Sequence, residues 1–251
     1  MSSAANPISP AALTSPEQPF VWARIRLADN QDVPIIQRLI CQLADFLHFN
    51  HVFSATESSL SSSLFPTPSP PPFLSLTALL LELSPSPIPQ RDPEDEKEED
   101  GEENKPGSIS PVVHRIELAA PVADEEAEAF ASPRGRGLVV AGFTLCFPKY
   151  SAFRAKPGLY VEGLFVREAW RRRGLGRMLL FAVATQAARM GLPKVEWGVP
   201  NWNAGAVDFY EGMGAVEQRD GRHFKLSGEA LKAYETRAEE SGWDDACVQR
   251  T

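Results

Sequence analysis

Apolar residues follow strand and helix spacings in two blocks of the chain, and the first block covers residues 22–83. Trp22–Leu27 alternates weakly, which predicts a strand, and Phe73–Leu83 is an apolar run that predicts a buried strand. Between them we expect a helix with Asp32 as its N-cap and a shorter helix at Thr56–Leu64. The first of these helices has an apolar face made of Ile36, Leu39, Ile40, Leu43 and Leu47.

The second block, residues 138–226, contains more elements at shorter intervals. Strands are predicted at Leu138–Phe147 and Leu159–Val166, and a helix follows from Leu175 until Gly191 and Pro193 end it. Four later elements are predicted: a strand at Val195–Val199, a short helix at Ala206–Met213, and strands at Ala215–Arg219 and His223–Leu226. This order of strands and helices predicts one mixed α/β domain.

The region between the two blocks is rich in proline, glycine and acidic residues. Nine acids and one lysine lie between Asp92 and Glu103, which accounts for the whole net charge of −8. Such a segment is typical of a solvated, disordered loop, although Val112–Leu118 has strand character. We therefore expect a disordered leader at residues 1–20, a folded domain at residues 21–235 with a disordered acidic insertion at about 84–137, and a polar tail at residues 236–251.

Composition limits the classes of function. The longest apolar run is interrupted by Thr77 and Glu82, so no membrane-spanning segment is predicted. The three cysteines, Cys41, Cys146 and Cys247, have no metal-binding spacing and fit a reducing cytoplasm, with Cys41 and Cys146 expected in the core. No metal and no nucleic-acid partner are predicted, because the basic cluster is small and lacks interleaved aromatic residues.

That basic cluster carries the main chemical signal. Arg167 to Arg177 contains five arginines and one glutamate, and its central part reads Arg171-Arg172-Arg173-Gly174-Leu175-Gly176-Arg177. The run follows a predicted strand and opens a predicted helix, so unpaired helix N–H groups, the helix dipole and guanidinium groups would meet there. This combination predicts a site for the phosphate or pyrophosphate of a cofactor.

The chain resembles the GNAT superfamily of N-acetyltransferases. The resemblance rests on Arg171-Arg172-Arg173-Gly174-Leu175-Gly176 between strand and helix, and on Trp202-Asn203 followed by Phe209-Tyr210 and Gly214-Ala215. It is strongest to the diamine and polyamine acetyltransferase branch, including plant ornithine/diamine acetyltransferases and tyramine hydroxycinnamoyltransferases. The resemblance implies a GNAT fold, with a mixed sheet of six to seven strands flanked by about four helices.

The resemblance also implies roles for individual residues. Acetyl-CoA would be the co-substrate, held by the edge of Leu164, Phe165 and Val166, by the loop Arg171–Arg177, and by Asn203. Glu162 would accept the proton of the amine, the Leu164 N–H would stabilise the oxyanion, and Tyr210 would protonate the departing thiolate. The arginine loop, Glu162 and Tyr210 also have purely structural interpretations. The arginines could form a solvated surface, Glu162 could be in a salt bridge, and Tyr210 could be a packing residue. An unpaired Glu162 in an apolar strand argues for a cleft.

The acceptor is left open by the sequence. Polyamine-acting relatives carry acids at the positions of Leu47, Gly163 and Asn201, and the loss of three carboxylates weakens the electrostatic case for a long polyamine. The prediction is an acetyl-CoA-dependent N-acetyltransferase acting on a primary amine of a small diamine-like or amino-acid-derived molecule. The alternatives are a hydroxycinnamoyl-CoA transferase for tyramine or serotonin, a CoA-binding protein without catalysis, and a protein acetyltransferase. A cytoplasmic homodimer is expected from the relatives.

Overall fold

The computed structural model describes residues 13–14, 19–89, 109, 112–219 and 224–240. Two compact units divide the chain, Met1–Asn203 and Ala204–Thr251. The strands are β1 Phe20–Leu27, β2 Thr77–Ser84, β3 Val112–Glu117, β4 Val139–Ser151, β5 Lys156–Val166 and β6 Val195–Trp197. The helices are α1 Val33–Leu47, α2 Glu57–Leu64, α3 Leu175–Arg189, α4 Ala204–Glu211 and α5 Glu229–Glu240. The first unit carries all of these strands and α1 to α3, and the second carries α4 and α5.

Among the described residues, six strands form one sheet in the order β3-β1-β2-β4-β5-β6. Neighbouring strands are antiparallel except β5 and β6, which run parallel. β2 lies between β1 and β4 and all of its residues are buried, which explains its continuous apolar sequence. Helices α1 and α3 pack against the sheet. This mixed α/β sheet confirms the predicted fold class.

Several predicted boundaries differ from the structure. The strand expected from Phe73 starts at Thr77, because Phe73 has a φ of 65° and its N–H bonds to the Thr77 hydroxyl at 2.7 Å. Ala215–Arg219 is not a strand, and neither is 224–226; His223 lies outside the described residues. Only Ala215 and Val216 are apolar in the first of these segments, too few to bury a strand face.

The N-terminal end of α1 is also held differently from the prediction. The Asp32 side chain makes no capping bond to α1. Instead Asp29 caps the short 3-10 turn Asn30–Asp32, and the Asp32 carboxylate accepts two bonds from Arg26, at 2.6 and 2.7 Å. Asp32 therefore occupies the predicted N-cap position of α1, but its side chain joins the preceding turn to β1 and does not cap the helix.

A buried ionic cluster ties β1 to β2. Glu82 is fully buried and accepts bonds from Arg24 at 2.8 Å and from Arg26 at 2.8 Å, while the Ser132 hydroxyl donates to the same carboxylate at 2.5 Å. Arg26 bridges Glu82 and Asp32, so three elements share one network. Every charge in this cluster has a partner, which is the condition for keeping charges inside a sheet.

The later part of the predicted insertion is folded. Residues 90–108, 110 and 111 lie outside the described residues, but residues 112–138 form β3 and a segment that packs into the core. Phe130 is buried, its carbonyl accepts a bond from the Val140 N–H at 2.8 Å, and Ala131 bridges to Val139. The structure therefore differs from the expected insertion boundary at residue 137. Of the expected leader, Leu13 is buried and Thr14 bonds to Val122.

Candidate active site

Strand β5 has an open edge next to the arginine loop. β6 pairs with β5 only at Leu159, Tyr160 and Val161, so among the described residues no strand covers β5 from Glu162 to Val166 on that side. The Arg167 N–H bonds to the Ala141 carbonyl at 2.8 Å, and antiparallel hydrogen bonding alternates along a strand. By this alternation the peptide groups of Leu164 and Val166 face the open edge, whereas those of Phe165 face β4.

Only part of the predicted strand edge is free for a ligand. The Val166 carbonyl already accepts a bond from Arg171 Nε at 2.9 Å. Phe165 is buried, and its carbonyl lies so close to Gly142 that a Cβ there would meet it at 2.5 Å. Leu164 is therefore the predicted edge residue whose N–H and C=O both remain suited to an extended amide ligand.

Glu162 lies at a β-bulge. Val161 pairs with Cys146 and Gly163 pairs with Leu145, so Glu162 has no residue opposite to it on β4. Its side chain is exposed, so the carboxylate is not buried without a partner in the apolar strand. A bulge redirects a side chain without breaking the sheet, and that gives the carboxylate access to a ligand. Burial and then the charges of Glu162 and Glu196 raise the pKa of the nearby Tyr160 hydroxyl.

Two of the loop arginines contact other groups of the protein and are not free for a ligand. The Arg171 guanidinium lies 4.6 Å from the Phe46 ring centroid and 5.1 Å from that of Phe165, and burial lowers its pKa. Arg173 Nη1 donates to the carbonyls of Ala169 at 3.0 Å and of Arg171 at 2.8 Å. The sequence alone gave no means of separating these two arginines from the others, because all of them read as one basic run.

The remaining loop residues fit an anionic ligand. Arg172 and Arg177 are exposed, and within the described part of the chain neither side chain makes a hydrogen bond or an ion pair. Gly174, the N-cap of α3, has a φ of 77°, and a Cβ placed on it would point into open space. Among the described residues no side chain caps the first turn of α3, so its N–H groups and two guanidiniums are suited to a diphosphate.

An apolar wall stands beside Gly163. A Cβ on Gly163 would lie 3.3 Å from Leu43 Cδ2 and 3.8 Å from the ring of Phe143. One turn along α1 from Leu43, the Phe46 ring meets Trp202 edge-on with 5.8 Å between centroids. Both Phe46 and Trp202 are exposed, and sequence reasoning missed them as site residues. Phe46 lies outside the apolar face of α1, and this position was the one feature of the sequence that could have marked it as a site residue.

Tyr210 and Asn203 occupy the region around α4. Tyr210 is half-buried on α4, its ring lies 4.9 Å from that of Phe209, and burial raises the pKa of its hydroxyl. Asn203 is half-buried in the turn before α4, and its N–H bonds to the Pro200 carbonyl at 2.9 Å. A tyrosine with a raised pKa keeps its proton at neutral pH, as a proton donor must.

Other predicted features have mixed outcomes. Cys146 is buried as predicted, and burial raises the pKa of its thiol to about 12, but Cys41 is exposed, contrary to the prediction. Cys247 lies outside the described residues. Within the residues that the structure describes, no group of three metal-ligating side chains converges. No helix in the same part of the chain has the length and apolar character needed to cross a membrane.

Comparison with known proteins identifies the family. A model of the acetyltransferase (GNAT) family matches residues 87–215. The chain is 42% identical over 220 residues to L-ornithine N5-acetyltransferase NATA1 of Arabidopsis thaliana, covering 88% of this chain and 91% of that protein. It is 36% identical over 218 residues to tyramine N-feruloyltransferase 4/11 of Nicotiana tabacum, covering 85% and 91%.

A solved structure agrees on the fold. The integron cassette protein VCH_CASS6 of V. cholerae superposes with a TM-score of 0.51 at 16% identity, covering 85% of this chain and 97% of that chain. The match of fold and the two plant relatives, together with a cationic loop at the start of α3, lead to one conclusion. The chain belongs to the GNAT acetyltransferase family and is an acyl-CoA-dependent N-acyltransferase.

Proposed function

We propose that the protein transfers an acetyl group from acetyl-CoA to a primary amine of a small diamine-like or amino-acid-derived molecule. The observation that carries this proposal is the pairing of an open β5 edge with the free cationic groups at the start of α3. The similarity to an ornithine acetyltransferase over most of the chain supports the choice of acceptor.

The donor is held by main-chain and cationic groups. Arg172, Arg177 and the first-turn N–H groups of α3 bind the diphosphate, with Gly174 giving the backbone its turn. Leu164 offers its N–H and C=O to the amides of the pantetheine arm. Arg171 and Arg173 act indirectly, because their side chains fix the loop that carries the other groups.

The proposed reaction requires a proton acceptor, a hydrogen-bond donor to the oxyanion and a proton donor. An alkyl ammonium has a pKa near about 10 and must lose a proton before its nitrogen can attack, and Glu162 accepts that proton directly or through water. The Leu164 N–H donates to the thioester oxygen as negative charge grows on it. The amine nitrogen bonds to the thioester carbon, and Tyr210 donates its proton to the sulfur as the carbon–sulfur bond breaks. The resulting phenolate then takes the remaining extra proton of the new amide nitrogen. Asn203 hydrogen-bonds the acetyl-CoA.

One observation favours a second acceptor class. Leu43 and Phe143 occupy the space where a side chain at position 163 would stand, and Phe46 and Trp202 continue this apolar surface. Such a surface suits an aryl group better than a second ammonium group. The alternative is therefore transfer from a hydroxycinnamoyl-CoA to an aromatic amine such as tyramine or serotonin, which the similarity to the tobacco feruloyltransferases also supports.

Steady-state kinetics with two donors separate these functions. Acetyl-CoA and feruloyl-CoA are each tested with ornithine, putrescine, spermidine, tyramine and serotonin. We expect the highest kcat/KM for acetyl-CoA with ornithine or putrescine, whereas the highest value for feruloyl-CoA with tyramine would establish the alternative. Absence of turnover for every pair, with CoA still binding, would contradict both functions and leave a binding protein.

Tyr210→Phe tests the role of the proton donor in the same assay. We expect kcat to fall about 10²–10⁴-fold without a change in CoA affinity, because only the proton transfer is lost. Tyr150→Phe, at an exposed position of β4, is the matched control and should match the unchanged protein. Equal rates for the two variants would remove Tyr210 from the mechanism.

A cytoplasmic homodimer completes the proposal. The resemblance to GNAT enzymes implies a homodimer, and the cysteine usage fits a reducing compartment. Light scattering of the purified chain should give twice the mass of 27.6 kDa. A mass of one chain at assay concentrations would contradict the dimer, and fluorescence of a tagged chain in an organelle would contradict the compartment.

A further inference from the structure

The segment between β3 and β4 reaches the cofactor loop through one buried carboxylate. Asp124 is 6% exposed and lies in the part of the chain that was expected to be an unstructured insertion. Its Oδ2 accepts bonds from Arg167 Nη1 at 2.8 Å and from Trp170 Nε1 at 2.8 Å. Its Oδ1 accepts from Arg167 Nη2 and, at 3.3 Å, from the Glu126 N–H.

The two side chains that bind Asp124 bracket the turn before the loop. Arg167 follows the last residue of β5, and Trp170 ends the 3-10 turn Glu168–Trp170 directly before Arg171. Both side chains are almost fully buried, and the main-chain N–H of Trp170 also bonds to the Arg167 carbonyl at 2.9 Å. One carboxylate therefore fixes both ends of the peptide from which the arginine loop starts.

Hydrogen bonds within the loop connect this turn to the start of α3. Arg171 bonds back to Val166, and Arg173 bonds back to Ala169 and Arg171, so the loop backbone is fastened to the turn. The exposed side chain of Arg172 makes no such bond within the described residues, whereas the first turn of α3 is also held by the buried side chains of Leu175 and Met178. The position of Arg172 therefore depends on the turn before it, and Asp124 holds that turn through Arg167 and Trp170.

We propose that Asp124 is a positioning residue for CoA: it holds the arginine loop in the geometry that binds the diphosphate. It contacts no reacting atom and acts through Arg167 and Trp170. This proposal rests on the proposed function of the loop, and it gives the 118–138 segment a specific part in donor binding. A residue with this role affects the binding of the donor and leaves the amine and the chemical step unchanged.

Trp170→Phe is the decisive variant. It removes the indole N–H that Asp124 accepts but keeps an aromatic ring in the buried site. We expect the Kd of CoA by calorimetry and the KM of acetyl-CoA to rise about tenfold, as for one lost hydrogen bond to a charged group. The kcat and the KM of the amine should stay within about twofold of the unchanged protein.

Ser132→Ala is the matched control. It also removes one donor to a buried carboxylate, that of Glu82, in a cluster that ties β1 to β2 and to the Asn30–Asp32 turn. It should lower the Tm to a similar extent and leave the CoA Kd unchanged. Asp124→Asn serves as a second test, and we expect a larger rise in the Kd than for Trp170→Phe, because Arg167 also loses its charged partner.

Two outcomes would overturn the proposal. A Trp170→Phe variant with a lower Tm and an unchanged CoA Kd would show that the contact is only structural. A fall in kcat without a change in the KM of acetyl-CoA would place its effect in the chemical step. The proposed function fails separately, when the unchanged protein binds CoA but turns over no amine, and the calorimetric comparison still decides the role of Asp124.

Discussion

Leu43 on α1 fills the space beside the Gly163 backbone on β5: a Cβ on Gly163 would lie 3.3 Å from Leu43 Cδ2. That separation is tighter than an ordinary van der Waals contact, and Phe143 closes the same space from β4. The residue next to the proposed base therefore faces hydrocarbon, at a position where the sequence resemblance implies an acid in polyamine-acting enzymes. We expect the preference for an acceptor amine to depend on this contact.

Replacing Gly163 should change the acceptor preference. Gly163→Asp brings a carboxylate next to Leu43, so we expect a loss of stability of about 1–3 kcal/mol by overpacking. We also expect kcat/KM for putrescine relative to tyramine to rise about tenfold, the value of one ion pair worth ~1.4 kcal/mol. The control, Gly163→Ala, adds the Cβ without the charge and should lower stability only. An unchanged amine ratio in the Asp variant would place the acceptor elsewhere.

The fall of kcat on the alkaline side of the pH profile should occur at high pH. Burial raises the pKa of Tyr210 above its ordinary value of 10.0, so the hydroxyl stays protonated through neutral and moderately alkaline pH. Because a proton donor works only in the protonated form, the alkaline fall of kcat at saturating amine should have its midpoint above pH 10. A fall in kcat with a midpoint below pH 9 would mean that another group supplies the proton.

The ionic cluster of β1 and β2 should dominate stability without affecting donor binding. Glu82→Gln leaves Arg24 and Arg26 buried without their shared carboxylate, so the free energy of unfolding should fall by about 3–5 kcal/mol. Glu117→Gln breaks an exposed pair with Arg115 and should change it by less than about 1 kcal/mol. Denaturant titration measures both, and equal losses would contradict the importance of burial.

Cysteine modification should separate Cys146 from Cys41. Burial raises the pKa of the Cys146 thiol to about 12, so in the folded protein it stays a protonated, inaccessible thiol at pH 8.5. Iodoacetamide followed by peptide mass analysis should label Cys41 in the native protein and Cys146 only after unfolding. Labelling of both at the same rate in the native protein would show that β4 opens easily.

Local pattern was enough to predict most of the sheet and the position of the arginine loop between β5 and α3. β5 and α3 have strong periodicity, short connections and glycine or proline at their ends, so Leu159–Val166 and the helix from Leu175 were found from sequence. The Arg171–Arg177 loop was found for the same reason, because strand, glycine and helix are adjacent in the chain.

Long-range contacts could not be predicted in this way. Asp124 lies 43 residues before Arg167, and a contact at that separation leaves no periodic trace in the sequence. The bulge at Glu162 depends on the register with β4, which the sequence of β5 alone does not contain. For the same reason the division of the arginines into anchored Arg171 and Arg173 and free Arg172 and Arg177 required the positions of Phe46 and the loop carbonyls.

The most direct test of the central claim, that the cationic turn at the start of α3 binds the CoA diphosphate, is a calorimetric titration with CoA. The double variant Arg172→Gln/Arg177→Gln is compared with Arg136→Gln/Arg154→Gln, which removes two exposed arginines elsewhere. We predict that CoA binds the first variant about tenfold or more weakly than the unchanged protein, and the second with unchanged affinity. Equal affinity of both variants for CoA would contradict the account.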